Sequence, residues 1–149
     1  MNSEYVFQSR WRVDRSRESL WDAFESLLAS DDPLPWWPAV HTMHYDGDDL
    51  VLRASSHFGY RLTFRLSQLR TFRPDRLTLQ SVGDLQGTGE VTFVELGAQA
   101  CAMDIDWRVT TGRRWMRWSA WVLRPVFVAG HHLVMRQGEK RLNEWLAVH

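Results

Sequence analysis

The chain has 149 residues, 44% hydrophobic and 24% charged, with 18 basic and 18 acidic side chains. That length supports one domain with a sizeable core, and a net charge of zero leaves no global field to draw in nucleic acid or an anionic surface. A single cysteine, Cys101, excludes an internal disulfide, and the first residues lack the basic and apolar regions of a secretion signal, so a cytoplasmic setting is expected. The most apolar stretch, Trp118 to Ala129, is interrupted by Arg124 and Pro125 and is too short for a membrane span.

In chain order, Tyr5 to Val13 alternates as a strand, and Asp14 or Ser16 can cap the following helix by accepting its free backbone N–H groups. Leu20, Trp21, Phe24, Leu27 and Leu28 then share one helical face. Between Asp31 and Val40, the prolines at 33, 35 and 38 permit only short helical turns around Trp36 and Trp37, so this stretch reads as a lid or connector.

From His41 to Thr110 the hydrophobic period changes to two. Asp46 to Asp49 suits a hairpin between strands at His41 to Tyr45 and Leu50 to Ser56. Tyr60, Leu62, Phe64 and Leu66 alternate with Arg61, Thr63 and Arg65, giving one dry and one wet face. Leu69 breaks that phase, which predicts a bulge or bend after Ser67. Arg73 to Asp75 makes a turn, and Leu77 and Leu79 continue the inner face. Gly83 to Gly89 reads as a strand connection or bulge, followed by Val91, Phe93 and a turn at Gly97. Met103, Ile105, Trp107 and Val109 then alternate with Asp104, Asp106 and Arg108.

The last helix is marked by Phe127, His131, Val134, Met135, Gly138, Leu142 and Trp145, spaced three and four residues apart. The segment from Arg113 to Leu123 is out of phase with that stripe, which predicts a break or strong kink near Pro125, with Pro125 in the first turn of the main helix. Arg113, Trp115, Arg117 and Trp118 suit either pairing with acids such as Asp104 and Asp106 or contact with a membrane surface.

One strand, one or two short helices, about six strands and a final helix describe an α+β domain over residues 1–149. The expected architecture is a curved antiparallel sheet of about seven strands wrapped around the C-terminal helix. A curved sheet packs closely along only part of a straight helix, which leaves room for an internal cavity.

His131 is the ionisable group on the inner helical face. A histidine there can be a satisfied core residue, a hydrogen-bond partner for a ligand carbonyl or hydroxyl, or an acid–base catalyst. Trp37, Tyr60, Phe64, Trp107, Phe127, His131 and Met135 are the expected ligand-contacting residues, with His131 also the catalytic candidate. No serine, cysteine or lysine stands in a nucleophile motif. The Gly83 to Gly89 segment opens no helix and carries no phosphate-binding lysine. His41 and His44, three apart on a strand, point to opposite faces, so neither a metal nor a cofactor is expected.

Trp36 to Pro38 (WWP), Gly83 to Gly89 (GDLQGTG), Arg124 to Phe127 (RPVF) and His132 to Leu142 (HLVMRQGEKRL) make the chain resemble the START-like, or SRPBCC, superfamily, and within it the bacterial polyketide cyclase/dehydrase-like proteins. The resemblance implies a helix-grip fold with a deep pocket for a hydrophobic small molecule. Its members include lipid-transfer proteins, plant hormone and allergen-type binders, aromatic polyketide cyclases and quinone-binding proteins. The expected function is binding or carriage of an aromatic, polyketide-like or lipid-like molecule, without nucleic acid. The alternatives are a cofactor-independent cyclase or dehydratase and a protein-interaction module with a filled interior. Ligand identity and oligomeric state stay open.

Overall fold

The computed structural model describes residues 4–111 and 120–149. Strand β1 (Glu4–Val13) leads into helix α1 (Arg17–Leu28). Six strands follow: β2 (Val40–Tyr45), β3 (Leu50–Ser55), β4 (Arg61–Phe72), β5 (Arg76–Gly83), β6 (Leu85–Gly97) and β7 (Ala100–Thr111). The described chain closes with helix α2 (Ala120–Ala147) and a short tail. The strands pair antiparallel in one sheet of order β1-β7-β6-β5-β4-β3-β2. Neighbours from β2 to β7 are thus successive in the chain, while β1 lies at the far edge beside β7.

Alternation sets the two faces of this sheet. Tyr5, Trp11 and Val13 of β1, Leu62 and Phe64 of β4, and Phe93 of β6 are buried. The arginines between them, including Arg10, Arg12, Arg61 and Arg65, are exposed on the opposite face. Helix α1 starts at Ser16, whose hydroxyl accepts the Ser19 N–H at 3.1 Å, and it buries Leu20, Trp21 and Leu27. Helix α2 also seals part of the β1 edge. Asn143 accepts the Asp14 N–H and donates to the Arg12 carbonyl, both at 2.9 Å, and Glu139 accepts the Arg12 N–H at 2.7 Å.

The bend read from Leu69 is present as a register shift between Ser67 and Arg70, with Gln68 at φ 52. The glycine-rich segment differs from its expected role as one connection. Only Asp84 separates β5 from β6; Gly83 ends β5, and Gly87 and Gly89 lie within β6. The Asp84 carboxylate accepts the Thr63 N–H at 2.8 Å, which ties the turn to β4. A side chain at Gly89 would start 2.8 Å from the Trp107 ring, so this glycine lets the indole lie against β6.

A second correction concerns Pro125. It lies in the second turn of α2 rather than the first, and the helix continues through it from Ala120 without a break. The missing N–H forfeits one hydrogen bond in a helix of 28 residues, a local loss that the length of the packed helix tolerates. Asp104 and Asp106 hold Arg10 and Arg108 at 2.6 and 2.9 Å, which supplies them with partners other than the arginines of the 113–117 segment. Arg113, Trp115, Arg117 and Trp118 themselves lie outside the described residues. No helix among the described residues is long and apolar enough to cross a membrane.

Candidate ligand cavity

Between the dry face of the sheet, α1, the connector at residues 29–39 and α2 lies a cavity of about 330 Å³. Strands β3 and β4 contribute Leu52, Ala54, Tyr60 just before β4, Leu62 and Phe64. Strand β7 contributes Met103, Ile105 and Trp107, and α2 contributes Phe127, Gly130, His131, Val134 and Met135. Trp37 closes the wall from the connector. Every residue expected to contact a ligand therefore lines this one space. The sequence reading missed Trp11 and Trp36, which line it as well, and Phe7, whose ring stacks on His131 with centroids 3.7 Å apart. Phe7 and Trp11 share with Tyr5 and Val13 the odd-numbered positions of β1, so the alternation of that strand could have marked them.

Two side chains pin the connector and sheet to α2. The Trp37 indole N–H donates to the Val134 carbonyl at 3.1 Å, and the Tyr60 hydroxyl donates to the Phe127 carbonyl at 3.4 Å. Both need a helix surface without side chains. A Cβ at Gly138 would stand 2.6 Å from the Trp11 ring and 2.8 Å from the Trp37 ring, and one at Gly130 would stand 2.3 Å from the Tyr60 oxygen. Nearby, Gln137 accepts the Ala39 N–H at 3.0 Å. Trp37→Phe keeps a ring but removes the donor, and is expected to lower stability by about 1–2 kcal/mol. Urea denaturation measures it; an unchanged midpoint would mean that the indole bond contributes nothing.

The buried polar groups of the wall are neutral, and its two carboxylates, Asp48 and Glu90, are exposed. Burial, assisted by the nearby His132, lowers the His131 pKa to about 4, so the imidazole is uncharged at pH 7. Its Nε2 is buried and has no hydrogen-bond partner among the described residues. Burial raises the Tyr60 pKa, which keeps the phenol protonated. The indole N–H groups of Trp11 and Trp36 are also buried without an acceptor. Their rings meet edge to face, with centroids 6.0 Å apart and planes at 80°, the arrangement in which a polar edge faces an electron-rich ring. Among the described residues no three His, Cys, Asp or Glu side chains converge as metal ligands.

No protein-family model matches the sequence, and no curated protein matches it either. Solved structures do. A conserved protein from Geobacillus kaustophilus superposes with a TM-score of 0.69 at 8% identity, over 96% of this chain and 95% of its own. A START superfamily protein from Mycobacterium smegmatis gives 0.64 at 15% identity, over 93% and 94%. The chain has the START-like fold. Norcoclaurine synthase from Thalictrum flavum shares it, with a TM-score of 0.63 at 12% identity over 98% of this chain and 88% of that enzyme.

At these identities the likeness concerns the START-like backbone alone, so the chemistry must be read from this chain's own residues. Here the START-like grip is made by the Trp37 and Tyr60 bonds to α2, and the residues around them form a wall that is aromatic, aliphatic and uncharged in its interior.

Proposed function

We propose that the protein binds a hydrophobic small molecule, aromatic, polyketide-like or lipid-like, in the cavity between the sheet and α2, as a binding or carrier protein. The observation that carries this reading is the cavity itself. Its volume of about 330 Å³ lies within the range of small-molecule sites, and its lining combines large apolar side chains with a few polar groups. That interior does not fit an interaction module with a filled core. Norcoclaurine synthase has been determined with dopamine and hydroxybenzaldehyde, two small aromatic compounds, which supports an aromatic ligand here. In this reading Trp37, Tyr60, Phe64, Trp107, Phe127 and Met135 supply contact area, and His131 meets a ligand oxygen.

Binding is favoured over a cyclase or dehydratase reaction by the state of His131. With its pKa lowered to about 4, the ring is a weak base at neutral pH, well below the range that suits general acid–base catalysis. As a neutral imidazole it remains a good hydrogen-bond partner, and pairing its buried nitrogen would recover about 1–3 kcal/mol.

Native mass spectrometry of the protein purified from its natural host is the test. The expected result is a retained small molecule that is released on denaturation. Repeated preparations without one would contradict the reading. His131→Ala is expected to weaken binding of that molecule about tenfold while leaving the circular dichroism spectrum intact. Unchanged affinity would remove His131 from the site.

A further inference from the structure

We infer that the cavity selects uncharged ligands carrying a hydroxyl or carbonyl oxygen and rejects carboxylates and phosphates of the same apolar shape. This inference rests on the binding reading above and narrows its ligand class.

The sheet puts its basic side chains outside the cavity. Strict alternation turns the arginines of the strands away from the cavity. Arg53, Arg61 and Arg65 occupy the outer positions of β3 and β4, directly behind the inward Leu52, Ala54, Leu62 and Phe64. Arg10 and Arg108, outward on β1 and β7, are held by Asp104 and Asp106. Among the described lining residues none is Arg or Lys. An anion drawn into this space would leave water for a wall that offers the neutral His131 imidazole, the Tyr60 hydroxyl and the Ser56 hydroxyl. Removing an unpaired carboxylate from water costs several kcal/mol, which neutral donors do not fully repay. A neutral oxygen needs only one such hydrogen bond.

The mouth adds to this preference. The cavity reaches the surface beside the β2–β3 turn, where the exposed Gly47 and Asp48 line it. Asp46 in the same turn accepts the backbone N–H groups of Asp48 and Asp49 at 2.9 and 2.8 Å, bonds that hold its carboxyl below the usual carboxylate range. The exposed Glu90 of β6 lines the cavity as well. An approaching anion meets these acids first, whereas a neutral ligand is indifferent to them.

Two matched pairs test the inference by calorimetric titration of the full chain at pH 7: 2-naphthalenemethanol against 2-naphthoate, and decanol against decanoate. In whichever pair binds, the alcohol is expected to bind at least about tenfold more tightly than its acid. An acid that binds within threefold of its alcohol, or more tightly, would overturn the inference while leaving the binding reading in place. Binding of none of the four would overturn both. The selectivity should also shrink in 0.5 M salt, because the part contributed by the exposed acids at the mouth is screened.

Discussion

Gly87→Ala is expected to destabilise the protein by about 3 kcal/mol or more in chemical denaturation. An added Cβ would stand 1.9 Å from the Arg108 carbonyl oxygen and 2.9 Å from the Val109 Cα. These are backbone atoms of the neighbouring strand, so no rotamer change relieves the overlap, and β6 and β7 must separate where Gly87 pairs with Val109. The separation would reach the cavity, because Trp107 stands on β7 next to the affected pair and lies against Gly89. Gly47→Ala is the control. It has φ 96 and nothing within 4 Å of an added Cβ, so only the left-handed backbone is penalised, by about 1–2 kcal/mol. If Gly87→Ala proved no worse than this control, the close approach of β6 and β7 would be wrong.

The second large effect is a pH dependence centred on His131. Its pKa is about 4 in the folded protein against an ordinary 6.5. Between those values the unfolded chain binds a proton that the folded chain does not, so stability rises with pH across the window. The contribution is fully present above pH 6.5, falls as the pH drops, and is lost below the folded value. At about 1.4 kcal/mol per pK unit, the loss is at most about 3.5 kcal/mol. Asp104 and Asp106, held low by Arg10 and Arg108, lose their contribution at lower pH. His131→Phe keeps a ring to stack on Phe7 and removes the titration. Urea denaturation at pH 7 and pH 4.5 is expected to show wild type losing appreciably more stability than the variant. Parallel losses would mean that the imidazole is as well solvated folded as unfolded.

Much of this molecule is legible in its sequence because two periods dominate it. The alternation from Tyr60 to Leu66 assigns each residue to the cavity side or the solvent side, and the three-and-four spacing from Phe127 to Trp145 marks the face of α2 that meets the sheet. Their combination brings residues from β4, β7 and α2 to one expected pocket. What escaped the sequence depends on neighbours distant in the chain. Gly87 and Gly89 look like turn residues until Arg108 and Trp107 are seen against them. Trp37 is an expected pocket residue, but its neighbour Trp36, which stacks on it with centroids 5.2 Å apart and also lines the cavity, is not, because no helical or strand period places it in a proline-flanked segment. Pro125 was misread because a local preference for the first turn yields to the packing of a long helix.

Uptake of a hydrophobic molecule by the cavity can be followed by titrating a neutral solvatochromic fluorophore, 6-propionyl-2-dimethylaminonaphthalene, into wild type and Ala54→Phe. Ala54 faces inward opposite Leu62 and lines the cavity, so the phenyl ring would occupy ligand space while adding apolar burial. Saturable, blue-shifted emission is expected with wild type, and affinity weakened at least about tenfold in Ala54→Phe without a lower melting temperature. Equal affinity in the two proteins, or no saturable binding to wild type, would contradict uptake by the cavity.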